Sequence, residues 1–108
     1  MDMKASKEEI LDRIRMTLRT VAPGARAVLY GSRARGDARE DSDWDILILL
    51  DKERVKNEDF DEVAFPIIEL GWSLGEIFSP RLYALKEWMK RSFTPFYKNV
   101  EQDGIVLV

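Results

Sequence analysis

Ala27-Val28-Leu29-Tyr30-Gly31-Ser32 is followed, after ten intervening residues, by Asp43-Trp44-Asp45-Ile46-Leu47-Ile48-Leu49-Leu50. Ala27–Tyr30 is a short apolar run closed by glycine, too short for a buried helix and of the right length for a strand. Ile46–Leu50 is an unbroken aliphatic run, the pattern of a strand covered on both faces. Residues 31–42 between them are rich in Gly, Ser, Asp and Arg and read as a turn and loop, with a short helix over Ser32–Gly36. Two strands in direct succession imply a mixed sheet rather than a purely β-α-β winding.

Working outward, Ser6-Lys7-Glu8-Glu9 reads as a capping box with Ser6 as N-cap. Ile10, Leu11, Ile14, Leu18 and Val21 form a helical stripe that Pro23-Gly24 ends. On the other side, Phe60, Val63, Ala64, Ile67, Ile68 and Leu70 predict a second long helix, which Pro66 should kink or start. Glu76–Tyr83 reads as a strand, and Pro80 assigns it to an edge or a bulge. A short helix over Lys86–Lys90 and a terminal strand over Ile105–Val108 complete the order α, β, β, α, β, α, β. The predicted class is α/β (α+β), one domain over residues 1–108 with a small mixed sheet covered by helices.

Composition narrows the chemistry. The 108 residues include no cysteine and no histidine. That removes disulfides, thiolate sites, the usual zinc sites and the His-dependent triads, and leaves carboxylates as acid, base or metal groups. The net charge of -3 offers no general field for nucleic acid, so phosphate recognition has to be local. No stretch approaches the roughly 18 apolar residues of a membrane span, and the expectation is a soluble, cytoplasmic protein.

A strand running into Gly31-Ser32 turns without interference from a Cβ, and a helix starting there aims N–H groups at an anion. Ser32 adds a hydroxyl, and Arg33 and Arg35 add charges suited to phosphate oxygens. Asp43 and Asp45, two apart at a strand entrance, point to one face. Two carboxylates so close repel unless a cation or proton lies between them, and magnesium suits the pair. The alternative for each half is an ordinary loop and a solvated strand end. Together they place a phosphate-grade turn and a metal-grade acid pair at neighbouring ends of successive strands.

Gly31-Ser32-Arg33-Ala34-Arg35-Gly36 followed by Ser42-Asp43-Trp44-Asp45-Ile46 resembles the Gly-Ser-(ten residues)-Asp-x-Asp signature of the DNA polymerase β-like nucleotidyltransferases. More narrowly it looks like the small minimal nucleotidyltransferases. The resemblance implies the polymerase β palm-like fold and transfer of a nucleoside monophosphate, AMP foremost, from a nucleoside triphosphate to an acceptor hydroxyl. It implies that Gly31 and Ser32 hold the triphosphate of ATP or another nucleotide. It implies that Asp43 and Asp45 ligate Mg2+, or Mn2+, in a two-metal site with the ions about 4 Å apart. Family members add a third carboxylate three residues before a Ser/Thr-Pro pair, a register that falls on Glu76, one methylene longer than Asp. Glu69 and Asp51 are weaker substitutes for it.

The same resemblance implies a partner: a helical HEPN-type protein that this chain, as antitoxin, would adenylylate. The alternative is a catalytically impaired binding module that neutralises a partner by contact. Trp72, Phe78 and Trp88 read as core or partner surface, and self-association is a further expectation. Lys86, Lys90, Arg91 and Lys98, interleaved with Phe93, Phe96 and Tyr97, are a solvated or protein-facing surface more readily than a nucleic-acid groove.

Overall fold

A computed structural model describes residues 4–108. Helix α1 (Lys7–Val21) starts on the predicted cap, with the Ser6 hydroxyl accepting from the Glu9 N–H at 3.2 Å. Its stripe of Ile10, Leu11, Ile14 and Leu18 is fully buried. Strand β1 (Arg26–Tyr30) follows, then the one-turn helix α2 (Ser32–Arg35) and strand β2 (Trp44–Leu50).

Residues 57–73 are helical throughout, but not as one α-helix. Helix α3 (Asn57–Asp59) passes through a π turn (Phe60–Ala64) into α4 (Phe65–Ser73). The Phe65 N–H bonds back to the Phe60 carbonyl, five residues away. Pro66 has no N–H to give and would crowd the carbonyl four residues earlier, and the widened turn just before it absorbs that misfit. The predicted kink is therefore a π turn.

Strand β3 (Phe78–Ala84) leads directly into α5 (Leu85–Met89), and α6 (Pro95–Asp103) precedes the two-residue strand β4 (Ile105–Val106). Helix α6 is an addition to the predicted order. Its signal is local: Thr94 caps it by accepting from the Tyr97 N–H at 3.2 Å, and Pro95 occupies the first turn. The terminal strand is shorter than Ile105–Val108, although the Leu107 N–H still bonds to the Ala27 carbonyl at 2.8 Å.

The sheet order is β3-β2-β1-β4. β1 pairs antiparallel with β2 and with β4, whereas β2 and β3 are parallel, so the sheet is mixed as expected. β3 lies at an edge, where Pro80 deprives no central ladder of a hydrogen bond. β2 is covered on both faces. Ile46, Ile48 and Leu50 pack with α1 and α4 residues in the larger core. Leu47 and Leu49 pack with Trp88 of α5 and Val100 of α6 in the smaller one. Gly71 of α4 lies so close to β3 that a Cβ there would press on the Phe78 ring, which seats the helix tightly on the larger core. Among the described residues no helix is long and apolar enough to cross a membrane.

Candidate functional site

The alternation of β2 sends Trp44, Ile46 and Ile48 into the larger core and leaves Asp43 and Asp45 on the face of Leu47 and Leu49. The smaller core covers only the far part of that face, so the two carboxylates stand at its uncovered end. Asp43 is exposed and Asp45 is half-buried. Across the β1–β2 ladder Asp45 pairs with Tyr30, and across the β2–β3 ladder with Ser79. The Ser79 hydroxyl donates to Asp43 Oδ2 at 3.1 Å.

Gly31 joins the turn to the acids. Its φ is +74°, a conformation open to glycine at little cost, and a Cβ built on it would collide with the Asp45 carboxylate. The Gly31 carbonyl accepts from both the Ala34 and Arg35 N–H groups at 3.0 Å, which fixes the tight turn into α2. Ser32 begins that helix, where the first N–H groups have no partner within the helix.

The charges at this end are unbalanced. Burial and the neighbouring Asp43 charge push the Asp45 carboxyl above its ordinary range, and Arg81 and Arg35 pull it only part of the way back. Burial, with the Asp45 charge beside it, also pushes the Tyr30 phenol up. A half-buried carboxylate facing a second one gains most from a cation between them, so the pair fits a hard divalent ion.

Of the residues singled out in the sequence, Gly31, Ser32, Asp43, Asp45 and Arg35 gather at this end of the sheet. Arg35 also approaches Asp37 at 3.3 Å and Asp103 at 4.0 Å. Arg33 is not brought there. Its guanidinium donates to the carbonyls of Ser42 (2.9 Å) and Glu40 (3.0 Å) and lies 4.6 Å from the centre of the Trp44 ring. It braces the 36–43 loop from the α1 side instead of offering itself to phosphate.

Glu76, expected as the third carboxylate, is not brought to the acid pair either. It precedes β3 and lines a hollow of about 290 Å³ with Lys7, Ile10, Arg33 and Trp44. That is the opposite face of the sheet from Asp43 and Asp45. Glu76 lies two residues before Phe78, whose ring packs edge-on to Trp44 at 6.2 Å, and stands on that same side of the sheet. Among the described residues no group of three acidic side chains can hold a metal, and the expected triad does not assemble. The β3 positions that do face the acid pair are Ser79 and Arg81. Neither was singled out from the sequence, although period-two counting from Phe78 finds both.

Two comparisons bear on this geometry. A family model described as a nucleotidyltransferase domain matches residues 11–107. A crystal structure of a toxin-antitoxin with AMP-PNP superposes with a TM-score of 0.66 at 20% identity, covering 91% of this chain and 72% of that one. At that identity the likeness shows a shared fold. Among curated proteins none matches this chain.

Proposed function

The chain belongs to the nucleotidyltransferase domain family, and from that premise we propose that it transfers a nucleoside monophosphate, AMP foremost, from a nucleoside triphosphate to an acceptor hydroxyl. The acceptor oxygen bonds to the α-phosphorus as the bond to pyrophosphate breaks, and the hydroxyl proton passes to solvent. The observation that carries the reading is the closure of Gly31 on Asp45, which supports taking the phosphate turn and the acid pair as one site.

In this reading Gly31 and Ser32 hold the triphosphate through main-chain N–H groups and the Ser32 hydroxyl. Asp43 and Asp45 hold a divalent ion, Mg2+ by preference and Mn2+ as an alternative. Such an ion supplies charge neutralisation at the phosphates and orients them for in-line displacement. Ser79 fixes the Asp43 carboxylate, and Arg35 adds positive charge from α2. A supply of nucleoside triphosphate fits a cytoplasmic setting. The acceptor we propose is a helical HEPN-type partner protein, with this chain as its antitoxin. The neighbour's character as a toxin-antitoxin with AMP-PNP supports both the nucleotide and the protein partner.

The test is label transfer from α-labelled ATP with Mg2+ to the protein encoded beside this one. Transfer that Asp43→Asn abolishes supports the enzyme. A second reading, a binding module that neutralises its partner by contact, draws on the absence of a third acid beside Asp43 and Asp45 among the described residues. It predicts no transfer and a tight complex that Asp43→Asn leaves intact.

A further inference from the structure

We propose that this site takes its nucleotide with a single divalent cation, and that Arg81 supplies further positive charge at the phosphates. The proposal rests on the nucleotide-binding reading above.

The parallel register of β2 and β3 sets Ser79 opposite Asp45 and Arg81 opposite Leu47, both on the carboxylate face. A third carboxylate reaching the acid pair from β3 would have to come from one of these two positions. One is a hydroxyl already donating to Asp43, and the other is a cation. No acidic side chain from another element completes a set of three among the described residues. Asp103, the carboxylate on α6 nearest this end, lies 4.0 Å from Arg35. Two carboxylates suffice for one ion whose remaining positions go to phosphate oxygens and water.

One divalent ion leaves two carboxylates and a polyphosphate under-neutralised, and an arginine fork is the usual protein supply of the remainder. Arg81 is placed for it. Its guanidinium lies 5.1 Å from the centre of the Phe96 ring, and Phe96 packs edge-on to Tyr30 at 5.4 Å. Tyr30 in turn is the β1 partner of Asp45. The stack holds the Arg81 guanidinium on the face that carries the acid pair, near enough for its charge to act on Asp45. Arg81 is exposed and forms no ion pair among the described residues, so its charge is available, whereas Arg35 is shared with Asp37 and Asp103.

The experiment counts Mn2+ by electron paramagnetic resonance on the whole protein saturated with the imido analogue of ATP. It is paired with calorimetric titration of the analogue into Arg81→Ala. The expected count is one Mn2+ per bound nucleotide, and the expected loss of nucleotide affinity in Arg81→Ala is about tenfold. A count of two overturns the proposal and leaves the nucleotide-binding reading standing, as does an unchanged affinity in Arg81→Ala. Absence of any nucleotide binding in the unaltered protein overturns both. The Mn2+ count needs no substituted protein, so it decides the question even where Arg81→Ala folds poorly.

Discussion

The main chain of Gly31 lies against the carboxylate of Asp45 so closely that residue 31 has no room for a Cβ. The two residues belong to adjacent antiparallel strands, Gly31 just past the end of β1 and Asp45 near the start of β2. In the proposed reaction the contact would set where a triphosphate on the turn meets an ion on the acids. It also explains why glycine stands here, since a positive φ and a missing Cβ are required together.

Gly31→Ala should accordingly cost more than an ordinary loop substitution. The strained φ alone costs about 1–3 kcal/mol, and the Asp45 side chain must also move aside. Urea denaturation measures the stability loss. Nucleotide titration should show binding weakened by at least tenfold, because the displaced group is the acid itself.

Asp45→Asn should raise the stability of the metal-free protein while abolishing divalent-ion binding. The folded-state pKa of Asp45 lies above its ordinary value, burial being the main cause. Ionisation therefore works against folding, a penalty that grows as pH rises through the ordinary carboxylate range and is complete above the folded pKa. Asn carries no such charge. The gain at neutral pH should stay below about 1 kcal/mol, because the half-exposed group is screened by solvent. Thermal melts at pH 7 and pH 4 check it, with the advantage of Asn shrinking at the lower pH.

Asp59 behaves in the opposite sense. It is buried below the end of β2, accepting from Lys52 Nζ at 2.8 Å and from the Lys56 N–H at 2.7 Å. Burial opposes its charge, but these two hydrogen bonds and the Lys52 and Lys56 charges together outweigh burial and hold the carboxyl below its ordinary value. Its contribution is complete above the ordinary Asp range and is lost as pH falls through the lowered folded value. Asp59→Ala should destabilise by an amount near the lower end of about 3–5 kcal/mol, since Lys52 keeps some access to water. Asp59→Asn should flatten the acid limb of a stability-against-pH curve recorded by urea denaturation.

Glu76→Gln should leave nucleotide and Mn2+ affinity within about twofold of the unaltered protein, an energy difference below half a kcal/mol. Its side chain lies across the sheet from the acid pair. A tenfold loss on titration would mean that Glu76 reaches the ion after all.

Much of this was legible in the residues themselves. The Ser6 cap, the α1 stripe, the two-faced burial of Ile46–Leu50 and the meeting of Gly31 with Asp45 all follow from local pattern. A register counted from Ser79-Pro80 does not report which face a residue takes: Ser79 and Arg81 of β3 face Asp45, whereas Glu76, ahead of the strand, lies beside α1. The charge of Arg33 does not encode the loop carbonyls that occupy it. The π turn before Pro66 is a backbone compromise that side-chain periodicity does not encode. Helix α6 is marked in the sequence only by its Thr94-Pro95 start.

The most direct measurement is calorimetric titration of ATP into the whole protein, with Mg2+ and with EDTA, and again with Asp43→Asn. A single nucleotide-and-metal site predicts that either removing the ion or neutralising Asp43 weakens ATP binding by at least tenfold, about 1.4 kcal/mol. Binding that is unchanged by both, or no binding of any nucleoside triphosphate, would contradict it.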